Sequence, residues 1–277
     1  MQHTAVVEIS DESNAEYHAD YSRISHSMVE VFRSSPIEYA ARFVHRTMSP
    51  PAPTPAMKLG TALHAFLLEH YRFNDLVAVA PRVDRRTKDG KAEWAEFESQ
   101  ANGRTVITED DYDVVTAMAK SVLGHPEAFK MFQRAEHREK SITWTNEQTG
   151  LACKCRPDLL YAAGGLIADL KTASDPTPGA WSRQAASLGY HRQGAYYSAG
   201  VGLAIGRETK FMHIVVGTSE PFEACAYFMD SDAIAHAEFQ NQQMLNEIAA
   251  AMESGVWSAP QNREILVVSL PRWAMYE

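Results

Sequence analysis

The 277-residue sequence has few cysteines, no long apolar run and fewer basic than acidic side chains. Its three cysteines, Cys153, Cys155 and Cys225, are too few for a disulfide scaffold and favour a reducing compartment. No apolar run reaches the ~18 residues that span a bilayer, and the start of the chain lacks the basic-then-apolar pattern of a secretion signal. These absences predict a cytoplasmic protein that does not enter a membrane.

The shortage of basic residues, 26 against 35 acidic ones, gives a formal net charge of -9 and argues at first sight against a nucleic-acid partner. The charge is unevenly distributed, however. Residues 218–277 hold two basic and nine acidic side chains, whereas residues 114–217 hold twelve basic and eight acidic ones. Because local potential governs the attraction of DNA, the net charge does not exclude it. We expect the acidic C-terminal portion to face away from DNA or toward another protein.

No repeat, low-complexity tract or long linker divides the chain, and 45% of its residues are hydrophobic. This composition is typical of a folded protein with its own core. We predict a mobile N-terminal arm over residues 1–20, which are rich in Ser, Asp, Glu and His, followed by a single α/β domain over residues 21–277.

Hydrophobic periodicity and capping residues predict the elements of this domain. The predicted helices are one capped by Ser25 or Ser27 and stopped by Pro36, then 37–46, 60–71, one ending near 102, one capped by Thr108, 180–204 and 231–253. The predicted strands are 141–145, 151–161, 166–172, 211–216, 223–229 and a short one within 263–273, with a tight hairpin turn at 162–165.

The hairpin carries residues that suit metal-dependent chemistry. Asp158 follows Pro157 near one strand, and Asp169 and Lys171 lie on the same face of the next because side chains alternate along a strand. Two carboxylates on neighbouring strands can bind a hard cation such as Mg²⁺, and a lysine beside them can stabilise developing negative charge. This combination suits the hydrolysis of a phosphodiester, since a metal polarises the phosphoryl oxygen and activates water.

Each of these residues also has a purely structural interpretation. Asp158 could simply start a turn, and Asp169 with Lys171 could form an exposed pair worth under ~1 kcal/mol. The apolar neighbours of that pair in the sequence favour a functional reason for it, because a charge within an apolar strand is costly. Cys153 and Cys155 lack the further cysteines or close histidines that a metal site needs. The basic run at 81–94 is either a solvated loop or a DNA contact, through Arg85, Arg86, Lys88 and Lys91.

Together with three further motifs, this hairpin resembles the PD-(D/E)xK nucleases of the RecB/RecE-like branch. The matching elements are Gly60 to His64 as G-x-x-x-H, Glu139 or alternatively Glu136 as an additional acid, Pro157-Asp158, Asp169-Leu170-Lys171, and Gln193 with Tyr197 as Q-x-x-x-Y. The stretches 84–94 and 269–274 resemble the phage and prophage exonuclease VIII group. The resemblance, which extends from about residue 20 to the end, implies a restriction-endonuclease-like α/β fold with a central mixed sheet flanked by helices.

The resemblance also implies a role for each motif residue. Asp158 and Asp169 would bind Mg²⁺, with Mn²⁺ as an alternative, together with the main-chain carbonyl of Leu170, His64 and Glu139. Lys171 would orient the attacking water and stabilise the transition state, Glu139 could serve as a base, and Gln193 and Tyr197 would position the DNA. Some relatives hold an iron–sulfur cluster with four cysteines, which three cysteines exclude here.

The function implied by this resemblance is digestion of linear double-stranded DNA from its ends. The expected polarity is 5′→3′, which leaves 3′ single-stranded tails for recombination by a RecT-like single-strand annealing protein, and the expected assembly is a homo-oligomeric ring. Two alternatives remain open: a structure-specific or single-strand nuclease, and a non-catalytic DNA-binding or scaffold protein with the same fold.

Overall fold

The computed structural model describes residues 7–101, 103–259, 262 and 264–275. Its strands form three sheets, and the largest is a mixed sheet of five strands in the order β11-β10-β9-β8-β5. The strands are β1 (Glu8–Ser10), β2 (Ile24–Ser25), β3 (Val77–Ala80), β4 (Thr105–Thr108), β5 (His137–Arg138), β6 (Ser141–Thr145), β7 (Ala152–Cys155), β8 (Leu159–Tyr161), β9 (Leu166–Ala173), β10 (Lys210–Gly217) and β11 (Ala224–Phe228).

The centre of the five-stranded sheet is the predicted hairpin and its parallel neighbour. Strands β8 and β9 pair antiparallel, whereas β9 and β10 pair parallel with Asp169 opposite His213. The turn between β8 and β9 is a short 3-10 segment that ends at Gly165, whose φ of 62° lies in the left-handed region that glycine adopts easily. The predicted turn at 162–165 is therefore confirmed.

Helices cover both faces of the five-stranded sheet, as predicted. They are α1 (Asn14–Ala19), α2 (His26–Ser34), α3 (Pro36–Tyr39), α4 (Pro55–Leu68), α5 (Phe73–Leu76), α6 (Lys88–Gln100), α7 (Glu109–Gly124), α8 (Pro126–Arg134), α9 (Pro178–Leu188), α10 (Tyr190–Ile205) and α11 (Ser231–Ser254), with a π-helical turn over Ala40–Val44 after α3. Thr108 caps α7 in a capping box with Asp111, and Ser25 caps α2, which decides between the two predicted caps. Among the residues that the structure describes, no helix is both long and apolar enough to cross a membrane.

Alternation along β9 divides the interior into two main cores. Ala168 and Leu170 pack with α4, α7 and α8 on one face, whereas Ile167 packs with α2, α10 and α11 on the other. Side chains two residues apart on a strand point to the same face, so Asp169 and Lys171 lie on the same face as Ile167, which α10 covers. A third, smaller core around Trp181 joins α9 to β9 and β10.

Two predicted elements are each divided in the structure. The strand predicted at 151–161 is two strands in different sheets, since β7 lies in the four-stranded sheet β1-β6-β7-β2 and β8 in the five-stranded one. Pro157 lies in the break, where it has no N–H for a ladder. The helix predicted at 180–204 is α9 and α10, which are separated by Gly189 with φ of 72°.

Both chain ends differ from their predictions. Residues 8–10 of the predicted mobile arm pair with β6, and Tyr17 in α1 is buried, while residues 1–6 lie outside the described part. The described residues of the predicted strand at 263–273 form no strand, because Ile265, Val267 and their neighbours are exposed instead of pairing with an edge; Arg263 lies outside the description.

Candidate active site

Three side chains from distant parts of the chain meet beside the hairpin. His64 lies on α4, Glu139 between β5 and β6, and Asp158 between β7 and β8. Each offers one ligand atom, and these atoms lie within 4.8 Å of one another. The structure thus brings together three of the residues that sequence motifs predicted, although 94 positions separate the first from the last.

His64 is positioned by the packing of α4 against β9. The neighbouring Leu63 is buried in the core, so the next residue along the helix is directed to the margin of that contact. There Nε2 of His64 lies 2.9 Å from the carbonyl oxygen of Leu170, and Nδ1 lies 3.5 Å from Oδ1 of Asp158. The predicted main-chain ligand therefore lies beside the same imidazole.

Asp158 is buried directly after the break at Pro157. Its Oδ2 accepts a hydrogen bond from the backbone N–H of Leu170 at 2.6 Å, which links the two strands of the hairpin. Burial, together with the nearby charge of Asp169, raises the pKa of Asp158 well above its ordinary value. A carboxylate in this setting is stabilised in its ionised form when a cation lies close to it.

Glu139, and not the alternative Glu136, joins the cluster. Glu136 accepts hydrogen bonds from the backbone N–H groups of Ala162 and Ala163, so its carboxylate is used by the hairpin turn. Glu139 has a left-handed backbone with φ of 50°, which is uncommon for a residue with a long side chain. Burial, helped by the charge of Asp158, raises the pKa of Glu139 to about 7.

Asp169 and Lys171 form an ion pair on the α10 face of β9. Nζ of Lys171 lies 2.5 Å from Oδ2 of Asp169, and Nε2 of Gln193 donates a hydrogen bond to Oδ1 at 3.1 Å. Burial opposes the charge of the ammonium, but the carboxylates of Asp169 and Asp158 outweigh it and raise the pKa of Lys171. Lys171 therefore carries a positive charge next to the cluster of His64, Glu139 and Asp158.

The donor set of this site fits a hard divalent cation. Carboxylates, a main-chain carbonyl and an imidazole offer mainly oxygen ligands, as Mg²⁺ and Mn²⁺ prefer. Asp158 and Asp169 are both buried and close enough for the charge of one to raise the pKa of the other. Two buried negative charges are costly without a positive partner, and a cation at this position would lower that cost. His64, Glu139, Asp158, Asp169 and the carbonyl of Leu170 are the residues that would hold it.

The other predicted site residues lie outside the three-residue cluster. Tyr197 is one helical turn after Gln193, half-buried, with its ring edge-on to Phe211 at 5.8 Å, and burial raises the pKa of its hydroxyl. The basic residues Arg85, Arg86, Lys88 and Lys91 lie before and at the start of α6, and within the described ranges none of them contacts the cluster.

Comparison with known proteins identifies a family and a similar solved structure. Residues 25–263 match the family described as the PDDEXK-like domain of unknown function (DUF3799). The chain belongs to this family. Its structure is also similar to the crystal structure of a protein described as a putative exonuclease from Eubacterium rectale, with a TM-score of 0.64 and 12% sequence identity over 96% of this chain and 98% of that one. At this identity the likeness shows the fold alone. No curated protein matches the sequence.

The membership of the PDDEXK-like family confirms the predicted fold class, a mixed sheet flanked by helices with the PD-(D/E)xK motif on its central hairpin. The finer assignment to a RecE-type exonuclease goes beyond what the family description states. The family match includes the elements that carry His64, Glu139, Asp158 and the Asp169–Lys171 pair, because all of them lie within residues 25–263.

The sequence motifs did not indicate two residues that contact the candidate site, Arg156 beside Glu139 and Tyr190 beside Lys171. Arg156 donates hydrogen bonds to Oε2 of Glu139 at 2.9 Å, to the carbonyl of Glu12 at 2.8 Å and to the hydroxyl of Ser141 at 3.1 Å. Tyr190 lies beneath Lys171, with Nζ 4.7 Å from the ring centroid. Arg156 directly precedes Pro157, and Tyr190 is three residues before Gln193, so helix periodicity could have found the second of them.

Proposed function

We propose that this PDDEXK-like domain is a divalent-metal-dependent nuclease that hydrolyses the phosphodiester bonds of DNA. The observation that carries the proposal is the meeting of His64, Glu139 and Asp158, with ligand atoms within 4.8 Å, beside the Asp169–Lys171 ion pair. Ligands for a hard cation and a charged lysine in one place supply the two requirements of phosphodiester hydrolysis.

Each residue of the site has a distinct part in this chemistry. A bound Mg²⁺ would polarise the phosphoryl oxygen and lower the pKa of the attacking water. Lys171 holds its positive charge beside the reacting phosphate and stabilises the negative charge that develops there. Gln193 fixes the carboxylate of Asp169 through its hydrogen bond, so that the ion pair with Lys171 has a defined direction.

The substrate in this proposal is linear double-stranded DNA, digested from its ends. The sequence motifs support this choice through their resemblance to exonuclease VIII, and the description of the structurally similar protein as a putative exonuclease agrees with it. The proposal includes 5′→3′ polarity, release of 3′ single-stranded tails, assembly into a homo-oligomeric ring, and joint action with a RecT-like annealing protein in the cytoplasm.

We assign the attraction of duplex DNA to the basic residues before and at the start of α6. Arg82 already pairs with Glu109 and Asp110, whereas Lys88 and Lys91 form no ion pair within the described part of the chain. The double variant Lys88→Ala/Lys91→Ala is expected to reduce the slope of log affinity against log salt by about 2, because each lysine releases about one counterion from duplex DNA. An unchanged slope in DNA binding with Ca²⁺ would contradict this route.

The nuclease proposal is tested with end-labelled linear duplex and closed-circular duplex, each incubated with Mg²⁺ and with EDTA. We expect loss of linear DNA with Mg²⁺ and intact circles. Asp169→Ala should abolish the loss, whereas Asp113→Ala, which removes an exposed carboxylate of α7, should leave it unchanged. Mn²⁺ in place of Mg²⁺ tests the metal preference in the same assay.

The products separate the alternatives. Nicked circles would support a structure-specific endonuclease, and intact DNA of both forms, with binding retained, would support a non-catalytic DNA-binding protein. Digestion by Asp169→Ala at the wild-type rate would show that the site is assigned to the wrong residues. Label placed on the 5′ or the 3′ end in separate reactions determines the polarity.

A further inference from the structure

The ammonium group of Lys171 lies between a carboxylate and an aromatic ring. Nζ is 2.5 Å from Oδ2 of Asp169 and 4.7 Å from the centroid of the Tyr190 ring, over its face. A cation over the face of an aromatic ring is attracted by the negative charge density there. Because the ammonium has three N–H donors, contact with one carboxylate leaves others available for a substrate.

The ring of Tyr190 is itself held in place by a stack of aromatic side chains. It stacks on Trp181 with centroids 5.3 Å apart and planes 25° apart, and Trp181 stacks in turn on Tyr227 at 6.3 Å and 16°. The hydroxyl of Tyr227 donates a hydrogen bond to the carbonyl of Pro176 at 2.7 Å. Trp181 is only 2% exposed, so the stack is anchored in the core of the domain.

His213 packs against the edge of this aromatic stack. This residue lies opposite Asp169 in the parallel pair of β9 and β10, is fully buried, and meets Trp181 edge-on at 5.4 Å. The stack therefore extends from α9 and β11 to the strand beside the Asp169–Lys171 pair. Packing of this kind restricts the positions that the Tyr190 ring can adopt.

We propose that Tyr190 is a positioning residue whose ring fixes the ammonium of Lys171 beside Asp169 in the direction required for catalysis. A lysine side chain has four rotatable bonds, and the ion pair alone leaves several rotamers that keep Nζ near the carboxylate. Attraction to the Tyr190 ring favours the Lys171 rotamers that keep Nζ over the face of the ring. This inference deepens the proposed nuclease function and rests on it.

The activity test compares two substitutions of the same residue. Tyr190→Phe keeps the ring and loses only the hydroxyl, whereas Tyr190→Leu keeps an apolar side chain and loses the ring. We expect Tyr190→Leu to lower kcat by about tenfold or more with little change in KM, since misdirection of a catalytic group affects the transition state, while Tyr190→Phe stays within about threefold of wild type. An equal loss of kcat in Tyr190→Phe and Tyr190→Leu would assign the effect to the hydroxyl. A rise in KM without a fall in kcat in Tyr190→Leu would assign it to DNA binding. Either result would overturn the proposal.

A second measurement tests the contact without metal, DNA or turnover. The unfolding midpoints of wild type, Lys171→Met, Tyr190→Leu and the double variant in EDTA form a double-mutant cycle. We expect Tyr190→Leu to lower the midpoint less when Lys171 is already replaced. The exposed Tyr71 serves as the control, because Tyr71→Leu should show no coupling to Lys171→Met. Additive effects at Tyr190 would overturn the proposed contact.

The two measurements separate this inference from the proposed function. If wild-type protein leaves linear and circular DNA intact with Mg²⁺ and Mn²⁺, the nuclease proposal fails, and the catalytic role of Tyr190 fails with it. If wild-type protein digests DNA but Tyr190→Leu digests it at the wild-type rate, only the positioning role is overturned.

Discussion

The guanidinium of Arg156 donates a hydrogen bond to Oε2 of Glu139 across 2.9 Å, yet the pKa of that carboxyl is raised to about 7. Burial and the neighbouring charge of Asp158 outweigh the favourable contacts with Arg156 and His64. Glu139 therefore changes its charge near neutral pH in the metal-free protein, and both the stability of the fold and its affinity for a cation should depend on pH.

The stability of the metal-free protein should fall as Glu139 ionises. Between pH 4.5 and 7, folded Glu139 keeps a proton that the unfolded chain has lost, so this residue makes stability fall as the pH rises. In EDTA we expect Glu139→Gln to gain stability over wild type with increasing pH, by at most about 3 kcal/mol at pH 8 and by close to nothing near pH 4. Urea unfolding of both proteins at several pH values measures the difference. A difference that does not change with pH would contradict this prediction.

Metal affinity should change in the opposite direction. A ligand must lose its proton before it binds a cation, so the fraction of ionised Glu139 limits binding below pH 7. We expect the apparent affinity for Mg²⁺ or Mn²⁺ to be about tenfold higher at pH 8 than at pH 6. Calorimetric titration at the two pH values measures it. Glu139→Gln is the matched control, since it should bind more weakly and lose most of the pH dependence.

Asp158 is expected to destabilise the metal-free fold although it is needed for metal binding and cleavage. Its buried carboxylate is destabilising in the absence of a cation, so Asp158→Asn should raise the unfolding midpoint by a few degrees in EDTA at pH 8. The amide oxygen can still accept the hydrogen bond from the N–H of Leu170. The same variant should show no stabilisation by Mg²⁺ and no cleavage. Thermal unfolding with and without Mg²⁺ checks both parts, and a lowered midpoint in EDTA would disprove the first.

Gly189 gives a prediction about the junction of α9 and α10. Its φ is 72°, and a Cβ there would lie 2.5 Å from Nη2 of Arg192 and 2.9 Å from Oε2 of Glu30, which form an ion pair. Gly206 has a similar φ of 68° but no atom within 4 Å of the same position. We expect Gly206→Ala to cost about 1 kcal/mol from the backbone alone, and Gly189→Ala to cost about 1–2 kcal/mol more. Equal losses in chemical denaturation would mean that the ion pair moves aside freely.

Much of the fold and site follows from local sequence patterns. Residues 166–172 and 231–253 are predicted almost to their ends because apolar periodicity and caps agree there. The motifs single out His64, Glu139 and Asp158, and the structure brings these three side chains together, while their role in catalysis stays a prediction. The predictions are least accurate where one residue interrupts a regular pattern, as Pro157 does within 151–161 and Gly189 within 180–204.

Tertiary partners explain the rest. Residues 8–20 have the composition of a mobile arm, yet the buried ammonium of Lys154 bonds the carbonyls of Tyr17 and Asp20 and holds α1 in place. No pattern in the first twenty residues indicates this lysine, because it lies on β7. Arg156 is similar, since its value to the site comes from Glu12, Glu139 and Ser141, which are distant from it in sequence.

The left-handed backbone of Glu139 restricts which amino acids can replace it. Asn, Asp and Gly adopt such a φ most easily, so the backbone alone would favour a shorter side chain at this position. The substitution Glu139→Asp would remove one methylene, however, and shorten the reach of the carboxylate toward His64 and Asp158. Natural variants should therefore fall into two groups. One keeps Glu at position 139 despite the cost of its left-handed backbone, and the other has a residue that adopts this backbone easily but lacks the oxygen ligand of Glu139.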